Sequence, residues 1–106
     1  MAIVQTGNGG PEVLQYQRIP VLAPRAAEVL IKVVAAAINP IEWRNRTGGA
    51  RPQGGAVAAT VPGGDLAGIV VRLGEGVTNV KVGDAVFAKL SPGLPGLNGA
   101  YAQYAV

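Results

Sequence analysis

The sequence predicts a mainly β domain, a partly open barrel of short strands with one short helix, and three observations predict it. Apolar runs rich in Val, Ile and Leu recur at strand length, over Glu28 to Ile38, Leu66 to Leu73 and Ala85 to Leu90. The 16 Gly and 8 Pro fall between such runs instead of forming a tract, which is where an all-β fold needs turns. Only Asn39 to Gly48 carries helix start and stop signals, so the strand and helix alternation of a doubly wound sheet is missing. A chain of 106 residues, 49% hydrophobic and 14% charged, suits one domain with its own core, here residues 1–106.

Met1 to Gln5 reads as a short apolar strand. Gly7-Asn8-Gly9-Gly10-Pro11 supplies permissive backbone and a proline that blocks a helix, and Val13 to Ile19 returns as the second strand of a hairpin. Pro20, Ala23 and Pro24 make an extended connection. Glu28 to Ile38 is the strongest strand, and its β-branched, almost continuous apolarity places it centrally in a sheet. Asn39 then suits a helix N-cap, Pro40 the first helical position and Gly48 the stop. Gly49 to Thr60, small and weakly patterned, reads as a mobile loop. Leu66 to Leu73 and Ala85 to Leu90 are further strands joined by a glycine-punctuated turn. Ser91 to Asn98 is a second loop, and Gly99 to Val106 a closing strand.

Composition excludes several chemistries. With no Cys and no His there is no disulfide framework, thiolate nucleophile or imidazole base, and no zinc site of the usual nitrogen and sulfur ligands. A Ser-His or Cys-His hydrolase cannot be built from these residues. The nine Lys and Arg are scattered from Arg18 to Lys89, so a net charge of +3 does not point to nucleic acid. No apolar run is long enough to span a bilayer and the start lacks a signal-peptide pattern, so no membrane partner and a cytoplasmic location are expected. Gly7-Asn8-Gly9 runs into Pro11 and Glu12, and Gly74-Glu75-Gly76 is followed by another strand. Both are turns, not the fingerprint that holds a dinucleotide pyrophosphate.

Four residues are candidates for a site, each with two readings. Asn39 either caps the helix or offers its amide to a ligand. Trp43 is either core or the flat wall of a pocket. Asp65 is either a site carboxylate or an acceptor for nearby backbone N–H groups. Arg46, clustered with Arg44 and Arg51, serves either a solvated loop or an anionic ligand. Asp84, between Gly83 and a strand, reads as a turn residue. Tyr101 and Tyr104 share no strand face, so at least one hydroxyl should reach water or a partner.

Six segments carry a resemblance that covers the whole chain: Gly10-Pro11-Glu12-Val13-Leu14, Glu28-Val29-Leu30-Ile31-Lys32-Val33, Ala37-Ile38-Asn39-Pro40-Ile41-Glu42-Trp43, Pro62-Gly63-Gly64-Asp65-Leu66-Ala67-Gly68, Val82-Gly83-Asp84-Ala85-Val86-Phe87 and Gly99-Ala100-Tyr101-Ala102-Gln103-Tyr104. In this order the chain resembles the N-terminal GroES-like, substrate-side domain of zinc-independent medium-chain dehydrogenase/reductases, the quinone oxidoreductase group with its zeta-crystallin-like enzymes. Zinc-dependent members carry a Cys near Asn39 and Gly-His-Glu where this chain has Gly63-Gly64-Asp65. The resemblance therefore implies NADPH-dependent hydride transfer to a quinone or conjugated carbonyl without zinc. It implies a GroES-like partly open barrel, a cofactor-binding Rossmann domain that is missing from these residues, and a homodimeric parent enzyme. It sets Asn39 beside the nicotinamide or the substrate carbonyl, Trp43 as pocket wall, Asp65 at the pocket floor and Arg46 at a commonly basic position toward the cofactor. Members often place a Tyr where this chain has Trp43 and Arg44. On this reading the chain alone is inactive. The competing expectation is a stand-alone GroES-like interaction or regulatory module, since co-chaperonins share a segment like Lys81-Val82-Gly83-Asp84-Ala85-Val86 but lack the Asn39 to Trp43 and Gly63 to Gly68 segments.

Overall fold

The computed structural model describes residues 1–48, 59–90 and 96–106. The loop expected over Gly49 to Thr60 lies almost wholly outside the described residues, as does most of the one expected over Ser91 to Asn98. The described residues form six strands and one α-helix, in chain order β1 (Ala2–Gln5), β2 (Leu14–Gln17), β3 (Val29–Ala36), α1 (Pro40–Arg46), β4 (Asp65–Leu73), β5 (Ala85–Lys89) and β6 (Tyr104–Ala105). β1 and β2 form an antiparallel hairpin, and β5-β4-β3-β6 form a four-stranded antiparallel sheet. The sheets meet without closing. The Ile3 N–H donates to the Tyr101 carbonyl at 2.8 Å, the Gln103 N–H to the Met1 carbonyl at 3.0 Å, and Gln5 bridges Thr60. The fold is thus mainly β and partly open, as the sequence predicts.

β4 shows why alternation forms this sheet. Leu66, Gly68 and Val70 are buried while the residues between them are partly open, the period-two pattern of a strand with one face on a core. Gly68 is required by that packing, because a Cβ there would run into the Lys32 carbonyl on β3. Ile31, Leu66, Ala100 and Ala105 form one cluster, and Ala2, Val4 and Val61 form another. Tyr101 packs against both, joining the hairpin to the large sheet.

Four expectations need correction. Pro11 does not simply block a helix: Pro11–Val13 is a turn of 3-10 helix, because a proline's missing N–H costs nothing at the first helical position. The second strand accordingly starts at Leu14 and ends at Gln17. The strong central strand does lie between β4 and β6, but it stops at Ala36, and its apolarity misleads about burial: Val34 is 73% and Ile38 86% exposed. The closing strand shrinks to Tyr104–Ala105, since residues 100–103 divide their backbone bonds among Gly63, Pro62, Ile3, Val33 and Met1 instead of following one partner strand.

Candidate functional site

The start of α1 and the start of β4 come together around two carboxylates. The Asn39 amide Nδ2 donates to Asp65 Oδ2 at 2.8 Å across 26 residues of sequence. An ionised carboxylate only accepts, so the NH2 end of the amide must face Asp65. The Asn39 side chain sits over the Glu42 backbone in a capping-box arrangement, yet the Glu42 N–H bonds the Asn39 main-chain carbonyl at 3.1 Å, so the side chain makes no full cap bond. The amide thus goes to Asp65, a protein partner that neither reading of Asn39 named.

Glu42 completes the clasp. Its Oε2 accepts the Asn39 N–H at 2.5 Å and its Oε1 accepts the Gly64 N–H at 3.3 Å, so one carboxylate ties the helix start to the segment leading into β4. Sequence reasoning missed this residue, although an Asn followed three positions later by Glu is a capping-box spacing that could have found it. Gly63, at φ 97°, lets that segment turn beneath Tyr101: a Cβ there would stand 2.7 Å from the ring. The Tyr101 hydroxyl is buried and has no hydrogen-bond partner among the described residues. Burial, and then the nearby Glu42 charge, hold its proton above the ordinary phenol value. Of the two tyrosines, Tyr104, 36% exposed, is the one whose side chain reaches water.

The remaining candidates fall around this clasp. Trp43 is 52% exposed, not core, because the helix buries none of its residues; the Arg44 guanidinium lies 5.9 Å from its ring centre. Arg46 points the other way along the helix. Its Nη1 donates to the Gly9 carbonyl at 3.1 Å and the Gly9 N–H returns to the Arg46 carbonyl at 2.9 Å, docking α1 on the hairpin turn. Asp65 turns one edge toward an open groove of about 540 Å³ lined chiefly by Ala35, Ala36, Ala37, Leu66, Ala67, Phe87 and Ala88. Asp84 is local, as expected: its Oδ2 accepts the Lys81 N–H at 3.0 Å and its Oδ1 the Lys81 ammonium at 2.8 Å. Among the described residues no group of three or more acidic, His or Cys side chains could hold a metal ion.

Residues 25–106 match the family model for the alcohol dehydrogenase GroES-like domain. The chain belongs to that family. Its relatives are medium-chain reductases. It is 41% identical over 99 residues to a chloroplastic quinone-oxidoreductase homolog of Spinacia oleracea, covering 93% of this chain and 29% of that protein. It is 42% identical over 91 residues to a chloroplastic NADPH-dependent alkenal/one oxidoreductase of Arabidopsis thaliana, covering 85% of this chain and 23% of the relative. The Escherichia coli quinone oxidoreductase solved in complex with NADPH superposes with a TM-score of 0.80 at 33% identity, over 97% of this chain and 29% of that one. The GroES-like domain thus spans under a third of the length of these relatives.

Proposed function

We propose that this chain is the substrate-side half of an NADPH-dependent reductase that passes hydride to a quinone or conjugated carbonyl without zinc. The observation that carries this reading is the Asn39 amide, held at its NH2 end by Asp65 beside an apolar groove. Quinone and alkenal reductases among the relatives support the substrate class, and the NADPH named for two of them supports the cofactor.

The described residues fit one end of a nicotinamide cofactor. An amide donor, an exposed indole and an apolar trough suit a ring and a carbonyl, whereas no glycine-rich turn at the start of a long helix is present for a pyrophosphate. Asn39 and Trp43 are the residues we assign to the cofactor and substrate, with Asp65 at the floor, while Arg46, bonded to the Gly9 carbonyl, is left to docking the helix. Bound there, the cofactor supplies the hydride. The protein's own part is positioning and charge stabilisation. Asp65 uses one proton of the Asn39 amide and leaves the other to donate to the substrate oxygen, where negative charge grows as the ring or double bond is reduced. Glu42 fixes the backbone that carries Asn39, so the donor is in place before the charge appears. The oxygen then takes its proton from water, which a site without His or Cys requires. The proposal extends to a nucleotide-binding domain outside these residues, a homodimeric whole enzyme and a cytoplasmic location, although two of the relatives are named chloroplastic.

Steady-state NADPH oxidation tests this. The chain alone should show no turnover with a naphthoquinone, and the enzyme containing it should lose about a hundredfold in kcat on Asn39→Ala, the usual cost of one lost oxyanion donor. Turnover by the chain alone, or an Asn39→Ala enzyme at full rate, sinks the assignment.

A further inference from the structure

We propose that the outer face of the β3-β4-β5 sheet is a binding slot for a long apolar substituent on the substrate, so that the preferred substrate is a quinone or enone with an alkyl or isoprenoid chain. This rests on the reductase reading above and deepens it. Strand register builds the slot. Ala35 pairs with Ala67, and Ala67 with Phe87, which sets their side chains in one row across three strands, a span of roughly 10 Å. In the next row Asp65 pairs with Lys89, and the Ala37 N–H donates to the Asp65 carbonyl at 3.1 Å. The first row is wholly apolar and the second carries the polar groups.

The slot is therefore two-ended. At one end the Asp65 carboxylate holds the Asn39 amide, the group assigned to the substrate oxygen. At the other stands Phe87, 90% exposed, with Ala35 and Ala67 beside it in the same row and Leu66 and Lys89 also on the lining. A volume of about 540 Å³ is ample for a small ligand. Its floor is smooth, since alanines leave no holes for the large side chains of a second protein to fill. An amphipathic molecule matches it end for end: the carbonyl head at Asn39, and the chain across Ala67 against the Phe87 ring. Asp65 lines the slot and also holds the Asn39 amide, so the donor adjoins the slot at its polar end.

The test follows alanine methyl signals of this chain by NMR while adding three probes: a dimethoxy-methyl benzoquinone, the same quinone with a decyl chain, and decanol. With no Cys present, quinone addition to a thiol does not interfere. The decyl quinone should shift the methyls of Ala35, Ala37 and Ala67 and bind about tenfold or more tighter than the bare head. Phe87→Ser and Ala67→Gln should each erase that gain while the Ala2 and Ala105 methyls, one in each core, stay in place. If decanol shifts the slot and neither quinone does, the slot stands and the quinone reading falls. If no alkyl probe shifts the slot, or shifts are confined to Ala102, in a separate trough that Ile3, Tyr16 and Val34 also line, the slot is overturned, whatever the bare head does at Asn39. Self-association that alone accounts for the changes at Phe87 overturns it as well, and assigns the face to a second copy.

Discussion

Gly63 is where a single atom decides whether the site forms. Its φ of 97° is a conformation that side chains with a Cβ rarely adopt, and a Cβ would stand 2.7 Å from the Tyr101 ring and 2.9 Å from the Ala100 methyl. Gly63→Ala should cost roughly 2–4 kcal/mol in urea unfolding, combining backbone strain with overpacking. It should also disturb the Gly64 N–H that Glu42 accepts, visible as a change in that amide signal. An unchanged midpoint would show that the segment yields. At this scale, what the sequence reveals depends on distance along the chain. The Asp84 turn was legible because donor and acceptor are three residues apart. The Asn39 and Asp65 pair was legible as two candidates but not as a pair, since only the fold brings positions 26 residues apart into contact. The core reading of Trp43 falls because a helix of seven residues lying on the surface gives its apolar bulk nothing to be buried against.

Elements were legible where one face is buried and one partner pairs along the whole length, as in β4. They were not where partners change every residue or two, as in the shrunken final strand. The turn between β4 and β5 gives this scale its own test, because Lys81 and Asp84 hold it closed by a side-chain ion pair and a backbone bond. The Lys81 ammonium first, and then the Lys81 N–H, lower the Asp84 carboxyl below the ordinary carboxylate value, and Asp84 in turn raises the Lys81 ammonium. The signs follow. A lowered carboxyl stabilises the fold above its unfolded value, and this contribution is lost as pH falls through the folded one. A raised ammonium contributes below its unfolded value, and loses that as pH rises through the folded one. The Lys81 amide signal should hold steady at neutral pH, move as pH falls below about 4 and move again above about 10. Asp84→Asn should abolish the acid step and weaken the alkaline one. The Lys81 side chain is 83% exposed and that of Asp84 29%, so the pair is open to solvent at its cationic end and the steps should shrink in high salt. An acid step that survives Asp84→Asn would place the titration elsewhere.

At the largest scale, the described residues form two clusters that share the Tyr101 side chain. The hairpin core around Val4 and the sheet core around Leu66 share no buried residue, and Tyr101 packs against both while its backbone carbonyl receives the Ile3 N–H. A junction this narrow should control cooperativity more than it controls total stability. Removing only the hydroxyl takes away a buried oxygen with no hydrogen-bond partner among the described residues, so Tyr101→Phe should leave stability unchanged or raise it by up to about 1 kcal/mol. Removing the ring should cost about 3 kcal/mol in packing, and should do so unevenly. With the bridge gone, the β1 and β2 hairpin keeps its small cluster with Val61 and Ala102, its edge hydrogen bonds to residues 101–103 and Thr60, and the Arg46 bonds to Gly9, whereas the four-stranded sheet keeps its own core. Hydrogen exchange therefore separates the two variants. In Tyr101→Phe the Val4 and Val70 amides should exchange with the same free energy, as in one cooperative unit. In Tyr101→Ala the Val4 amide should open well before Val70, and the Asn39 amide, carried by the helix that Arg46 docks on the hairpin turn, should lose order with it. If both amides still open together in Tyr101→Ala, the two cores are coupled by their backbone bonds, and the substrate-side donor does not depend on the ring that packs between them.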